Sequence, residues 1–190
     1  MVKNDSGWPY PGIPELTDAR SLLSVKTQLG LCGVGFIGGR VGRVWLPGGN
    51  GKSLQTEMCG WAGSSLRGRK GADAGHSPLA DAITSYFEGS RVSFKNVQVA
   101  LPGFSSFAHM VLERLCKVEW GTTVTYKDIA TSIDNPGAAR AIGLIMSKNP
   151  IPLIIPCHRV IRSDGGLGGF SGQGGVKMKQ KMLELEGCGK

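Results

Sequence analysis

Asn149-Pro150-Ile151-Pro152-Leu153-Ile154-Ile155-Pro156-Cys157-His158-Arg159-Val160-Ile161 is the most informative stretch of this chain. Three prolines hold its backbone extended, and Leu153, Ile154 and Ile155 are apolar enough to be buried. Cys157 therefore emerges from a preformed, inflexible segment. Rigid placement suits a nucleophile. A thiol is weak until ionised, and an adjacent imidazole oriented by a carboxylate is a standard route to the thiolate. His158 supplies the imidazole. The other reading of Cys157 is a buried structural thiol.

Downstream, the carboxylate is sought in a helix over about residues 176–187. Met182 and Leu183 mark its apolar side, and Glu186 lies four and three residues further on, so it shares that side while Lys177, Lys181 and Glu184 face out. A buried carboxylate requires a partner. A hydrogen bond to His158 would satisfy it and fix the imidazole tautomer. The alternative is a frayed helix end with Glu186 in water.

Upstream, the pattern is helical. Phe104, Phe107, Ala108, Val111, Leu112, Leu115 and Cys116 recur at three-four spacing and predict a core-facing helix over 103–118, which makes Cys116 inert. Thr125 and Asp128 form a Thr-x-x-Asp cap for a helix ending near Ile133. Asn135-Pro136 then opens a second helix over 136–147, whose face carries Ala139, Ile142, Gly143 and Met146. Two helices joined by Asp134-Asn135 suggest a helix-turn-helix projecting Arg140 away from the apolar stripe. An ordinary surface arginine on an ordinary helical hairpin fits the same spacing.

The first hundred residues read differently. Short apolar runs alternate with glycine over residues 22–47, as in antiparallel strands joined by tight turns. Residues 48–76, rich in Gly, Ser, Lys and Arg, read as a flexible loop or insertion. Ser77-Pro78 opens a helix to about Phe87, closed by Gly89.

Composition bounds the partners. The 190 residues carry 22 Lys plus Arg against 14 Asp plus Glu, a formal charge of +8, which favours encounter with a polyanion such as nucleic acid. No run approaches the roughly eighteen apolar residues of a membrane span, and Met1-Val2-Lys3-Asn4-Asp5-Ser6 leads into no apolar signal core, so a soluble intracellular protein is expected. Five scattered cysteines without a Cys-x-x-Cys pair argue for reduced thiols.

Pro156-Cys157-His158-Arg159-Val160, with Asn149-Pro150 before it and Gly169-Phe170-Ser171-Gly172 after it, resembles the active-site signature of the O6-alkylguanine-DNA alkyltransferases. The likeness extends in the family's order through Tyr126, residues 135–143 and Leu183-Glu184-Leu185-Glu186-Gly187, covering about 104–187. A looser likeness appears at residues 27–30 and 82–87.

The resemblance implies an α+β protein of two domains. Residues 1–100 would form a small sheet-plus-helix domain, and residues 101–190 a mostly helical domain with a winged-helix-like helix-turn-helix. It implies direct-reversal DNA repair, in which an alkyl group moves from O6 of a flipped guanine to Cys157 once per molecule. His158, positioned by Glu186, would help deprotonate Cys157 through a water, with Asn149 as the supporting hinge. Tyr126 would protonate or polarise the base. Arg140 would fill the gap left by the flipped nucleotide, on a DNA-facing surface that includes Thr125, Ala139 and Gly143. Ser171 and Val160 would meet the guanine, and Met146 and Pro152 would wall the alkyl pocket.

Duplex DNA carrying O6-alkylguanine is the implied partner of a monomer, in the cytoplasm of a prokaryote or the nucleus of a eukaryote. No cofactor is needed. Some members bind structural zinc, but Cys32, Cys59, His76 and His109 lack ligand spacing, so no metal is expected. The loop Gly172-Gln173-Gly174-Gly175 is longer than the family's usual one and leaves the range of alkyl groups open. Rival functions are a non-catalytic lesion-binding protein, disfavoured by the presence of Cys157, and a helix-turn-helix regulator that senses alkylation. A thiol hydrolase is more distant, since no deacylation machinery is implied.

Overall fold

Gly38 and Gly39, both in the left-handed region at φ +54° and +81°, make the two-residue turn that joins the second and third strands of an antiparallel sheet. The computed structural model describes residues 20–48, 51–63 and 77–189. The expectations for Met1–Ser6, for His76 and for residues 49, 50 and 64–76 of the anticipated loop lie outside the described residues. Strands β1 (Arg20–Thr27), β2 (Gly30–Ile37) and β3 (Arg40–Trp45) form a meander in that order. Leu23, Val25, Cys32, Val34, Val41 and Val44 turn their side chains into the core.

The other sheet face corrects one expectation. Residues 51–62 of the anticipated flexible loop form a helix, α1 (Gly51–Ala62). Its apolar residues Leu54, Met58 and Trp61 pack with Trp45, Leu22 and Leu31 in a separate cluster, and the Trp45 and Trp61 rings meet edge-on at 5.6 Å. Glycines in β2 make the room: a Cβ at Gly33 would stand 2.5 Å from Met58 Sδ, and one at Gly35 would stand 2.5 Å from the Trp61 ring. The sequence does carry the i, i+4, i+7 apolar spacing of a helix at these positions. Gly51, Gly60 and the surrounding polar residues obscured it, because glycine weakens a helix by about 1 kcal/mol and the stabilisation here comes from tertiary packing.

Helix α2 (Pro78–Phe87) lies on the inner side of the sheet and buries Ala80, Ile83, Tyr86 and Phe87. Pro78 starts it as expected, though the Ser77 side chain makes no capping bond. The chain then returns to β3, where Val41 N–H donates to Gln98 O at 2.9 Å and Ala100 N–H donates to Val41 O at 2.7 Å.

Helix α3 (Ser106–Cys116) is shorter than the anticipated 103–118 because Ser105 caps it, accepting from the Ala108 amide at 3.3 Å. Thr125 and Asp128 form the expected reciprocal capping box at 3.1 and 2.8 Å, which starts α4 (Tyr126–Ser132). The turn uses a left-handed Asp134, φ +56°. What was anticipated as one helix over 136–147 is a 3-10 turn at Pro136–Ala138 followed by α5 (Ala139–Ser147). Asn135 makes no side-chain cap there, and the Ala138 amide bonds to Asn135 O in the tighter pattern.

Two short strands, β4 (Val124–Thr125) and β5 (Val160–Ile161), pair in parallel. Gly174, at φ +80°, leads into α6 (Gly175–Leu185). One apolar cluster runs without interruption from Leu23 in β1 through α2, α3 and α5 to Met182 in α6. Fully buried members such as Ile83, Val111 and Ile142 each contribute about 1.5–3 kcal/mol by leaving water. The segment bearing Cys157 is anchored to this framework by a 2.9 Å bond from Val44 N–H of β3 to Pro150 O. Among the described residues, no helix is long and apolar enough to cross a membrane.

Candidate active site

Asn149 organises the segment that presents the thiol. Its Oδ1 accepts from the Ile151 amide at 3.0 Å, and its Nδ2 donates to Ile155 O at 3.0 Å and to Cys157 Sγ at 3.2 Å. Between these contacts Leu153 adopts φ +77°, a conformation unusual for a branched side chain and held by burial on all sides. Cys157 then begins a 3-10 turn (Cys157–Arg159). Burial pushes its thiol up from the usual value, while the Asn149 bond and the Lys179 charge oppose that rise.

The dyad anticipated from the helix pattern is present. Glu186 follows the last residue of α6 and is 4% exposed, and its Oε1 lies 2.7 Å from His158 Nε2. Two further partners were not anticipated. Arg159 donates from Nε to Oε2 at 2.8 Å and from Nη2 to Oε1 at 3.0 Å, and Tyr86 Oη donates to Oε1 at 2.8 Å. Burial alone would raise the Glu186 carboxyl, but the hydrogen bonds from His158 and Arg159 and the Arg159 charge outweigh it and hold the group at about 2. Burial lowers His158 from its usual 6.5, against the raising effect of Glu186.

An ionised Glu186 can only accept, so His158 Nε2 carries the shared proton and Nδ1 carries the lone pair. Nδ1 is buried and has no hydrogen-bond partner among the described residues. The site therefore holds a neutral imidazole with an unused base.

Cys157 opens onto a cavity of about 370 Å³ lined also by Tyr126, Gly143, Met146, Ser147, Gly169, Phe170 and Ser171. Tyr126, the first residue of α4, is half-buried; burial and then the Cys157 charge raise its phenol, so it remains protonated near neutral pH. Gly143 faces that phenol ring, with a Cβ there falling 3.7 Å from Tyr126 Cε1. Tyr126, Gly143, Met146, Cys157 and Ser171 thus share one cavity, with Asn149, His158 and Glu186 behind it. Val160 and Pro152 are buried but do not line this cavity. Arg140 is exposed at the start of α5, beside the half-buried Ala139, and the Thr125 hydroxyl is occupied by the capping box.

Lys179 is a further residue that went unanticipated. Its ammonium donates to Val160 O at 2.6 Å and to Leu167 O, tying the chain after Cys157 to α6. Burial lowers it to about 8, against the opposing charge of Cys157. The periodicity that placed Glu186 could have found it, since 179, 182, 183 and 186 form one i, i+3, i+4, i+7 stripe. Nothing local pointed to Tyr86, whose ring belongs to α2. Cys32 and Cys116, held at about 12 by burial, are poor nucleophiles.

Fold and site together define a class: a helix-turn-helix protein with a buried cysteine followed by a histidine that is paired with a glutamate. Residues 106–188 match the family model described as 6-O-methylguanine DNA methyltransferase, DNA binding domain. The chain is 39% identical over 122 residues to the methylated-DNA–protein-cysteine methyltransferase of Saccharolobus islandicus, covering 64% of this chain and 76% of that one. It is 47% identical over 109 residues to the Metallosphaera sedula protein of the same name, covering 57% of this chain and 66% of the relative. The crystal structure of Mycobacterium tuberculosis O6-methylguanine methyltransferase superposes with a TM-score of 0.69 at 29% identity, covering 88% of this chain and 92% of that one. The chain belongs to the methylated-DNA–protein-cysteine methyltransferase family. It spans 66%, 60%, 65% and 59% of the length of four relatives, from Metallosphaera sedula, Methanothermobacter thermautotrophicus, Methanosarcina barkeri and Bacillus subtilis.

Proposed function

We propose that this protein repairs DNA by moving a methyl or larger alkyl group from O6 of guanine to Cys157, once per molecule. The observation that carries the proposal is the buried, unpartnered Nδ1 of His158, whose chain neighbour Cys157 opens onto the Tyr126 cavity. His158 Nδ1 takes the thiol proton through a water, while Asn149 Nδ2 stabilises the developing thiolate. Sulfur attacks the alkyl carbon, the S–C bond forms as the C–O bond breaks, and the electron pair stays on guanine. Tyr126 donates its proton or a hydrogen bond to the departing base. The thioether has no neighbour able to hydrolyse it, so no second turnover follows.

The reading gives Arg140 the place vacated by a flipped nucleotide, with Thr125, Ala139 and Gly143 on the DNA-facing side. Ser171 would meet the guanine and Met146 would lie against the alkyl group, since both line the cavity in front of Cys157, whereas Val160 and Pro152 stand outside it. A Mycobacterium tuberculosis structure of the same fold was solved in complex with DNA, which supports DNA as the partner. The chain divides near residue 100 in this reading and acts as a monomer, in the cytoplasm of a prokaryote or the nucleus of a eukaryote.

The test is incubation with a duplex carrying O6-methylguanine, followed by intact mass and peptide mapping. Methylation of the Cys157 peptide, absent in Cys157→Ala, is the expected outcome. Tight binding with neither protein nor lesion altered would replace repair by lesion recognition.

A further inference from the structure

Two stretches of the sequence have no part in the chemistry above: the segment that forms α1, and the long loop 172–175. They meet at Gln173. Its Oε1 accepts from the Leu46 amide at 3.1 Å, and its Nε2 donates to Glu57 Oε2 on α1 at 3.5 Å. Leu46 directly follows β3 and is fully buried, while α1 is locked to the sheet by Met58 and Trp61. Gln173 thus holds a buried backbone amide at the end of β3 and makes a longer, exposed contact to α1.

On its other side, Gln173 is two residues from Ser171 and three from Phe170, which form one wall of the cavity in front of Cys157. The packing between wall and sheet is continuous: a Cβ at Gly172 would stand 2.6 Å from the Phe170 ring and 3.0 Å from Leu46 Cδ1. The loop has little stiffness of its own, since Gly172, Gly174 and Gly175 surround Gln173 and the last two have φ +80° and +55°.

We infer that Gln173 is a positioning residue that sets the size of alkyl group the cavity admits, by clamping the Phe170–Ser171 wall to β3 and α1. The inference rests on the alkyl-transfer reading. Releasing the clamp lets the wall retreat, which matters for a bulky group and little for a methyl.

The test compares single-turnover alkylation of Cys157 by duplexes carrying O6-methylguanine or O6-benzylguanine, read by intact mass, with thermal melting of each variant. Gln173→Ala should raise the benzyl-to-methyl rate ratio about five-fold, the factor corresponding to one neutral hydrogen bond. Its methyl rate should stay within about two-fold of wild type. The double variant Gln173→Glu with Glu57→Gln should restore the ratio, because the carboxylate still accepts from the Leu46 amide and the new amide at position 57 donates to it. An unchanged ratio in Gln173→Ala overturns the inference. So does a parallel fall of both rates with a lower melting temperature, which would leave Gln173 a merely structural role. Wild-type protein unmodified by either duplex overturns the alkyl-transfer reading and the inference with it.

Discussion

Tyr86 Oη donates a 2.8 Å hydrogen bond to Oε1 of Glu186, a residue one hundred positions further along the chain. The phenol comes from α2, packed under the sheet, and the carboxylate from the end of α6. The acid that orients His158 is therefore held partly by the opposite half of the molecule.

Removing that hydroxyl should weaken both stability and chemistry. In Tyr86→Phe the ring keeps its edge contacts with Phe87 and Trp120, so the change isolates the hydrogen bond. A bond to a charged, buried acceptor is worth about 1.5–3 kcal/mol, and a loss near the lower end is expected because His158 and Arg159 still serve the same oxygen. Urea denaturation measures the loss, and single-turnover alkylation should slow in parallel. Unchanged stability would show that the bond contributes nothing.

Glu186 should make stability depend on pH. Its folded value of about 2 lies below the usual 4.5, so its contribution is complete above 4.5 and disappears as pH falls through about 2. Glu186→Gln at neutral pH leaves the Arg159 guanidinium without its anion and should cost about 3 kcal/mol. The gap between wild type and variant should narrow steadily as denaturation is repeated from pH 5 down to about 2. A constant gap would mean that another group carries the acid sensitivity.

Arg140 is exposed at the first turn of α5. If it supports a flipped nucleotide, Arg140→Ala should slow transfer from a lesion within duplex DNA at least about ten-fold, since unstacking a base costs a few kcal/mol. Transfer from free O6-benzylguanine base, which needs no flipping, should be nearly unaffected. Equal losses on both substrates would instead point to damage at the thiol site.

Docking of α1 depends on absent side chains. Gly35→Val would place atoms into the Trp61 ring, which already lies 2.5 Å from an ideal Cβ, and should destabilise the fold by about 1–3 kcal/mol. Tryptophan fluorescence should change together with the denaturation midpoint, because Trp61 and Trp45 lose their edge contact. A variant as stable as wild type would argue that α1 is not held against β2.

The C-terminal half was legible because its signals are local. The Thr125–Asp128 cap and the Met182, Leu183, Glu186 spacing each lie within about two helical turns, and the stripe of α3 is built of three- and four-residue steps. The segment around Cys157 was legible as a rigid one for the same reason, since three prolines and a run of apolar residues lie within a few positions of the thiol. Helix α1 was misread because its stability comes from a glycine-lined sheet face more than ten residues away. Arg159 lay within the quoted motif, yet only the folded chain shows its guanidinium spanning both oxygens of Glu186.

What the sequence by itself determined was the three-strand sheet region, the helices after residue 77 and the candidate thiol, imidazole and carboxylate, because helix faces, caps and proline-held segments depend on short-range spacing. Only the tertiary structure decided how the carboxylate is neutralised, which carbonyls Lys179 holds, and that Gln173 ties the cavity wall to β3 and α1. Those contacts join residues up to 127 positions apart. Apart from the exposed Gln173–Glu57 pair, they exist because packing around one core brings distant polar groups together away from water, where each must find a partner.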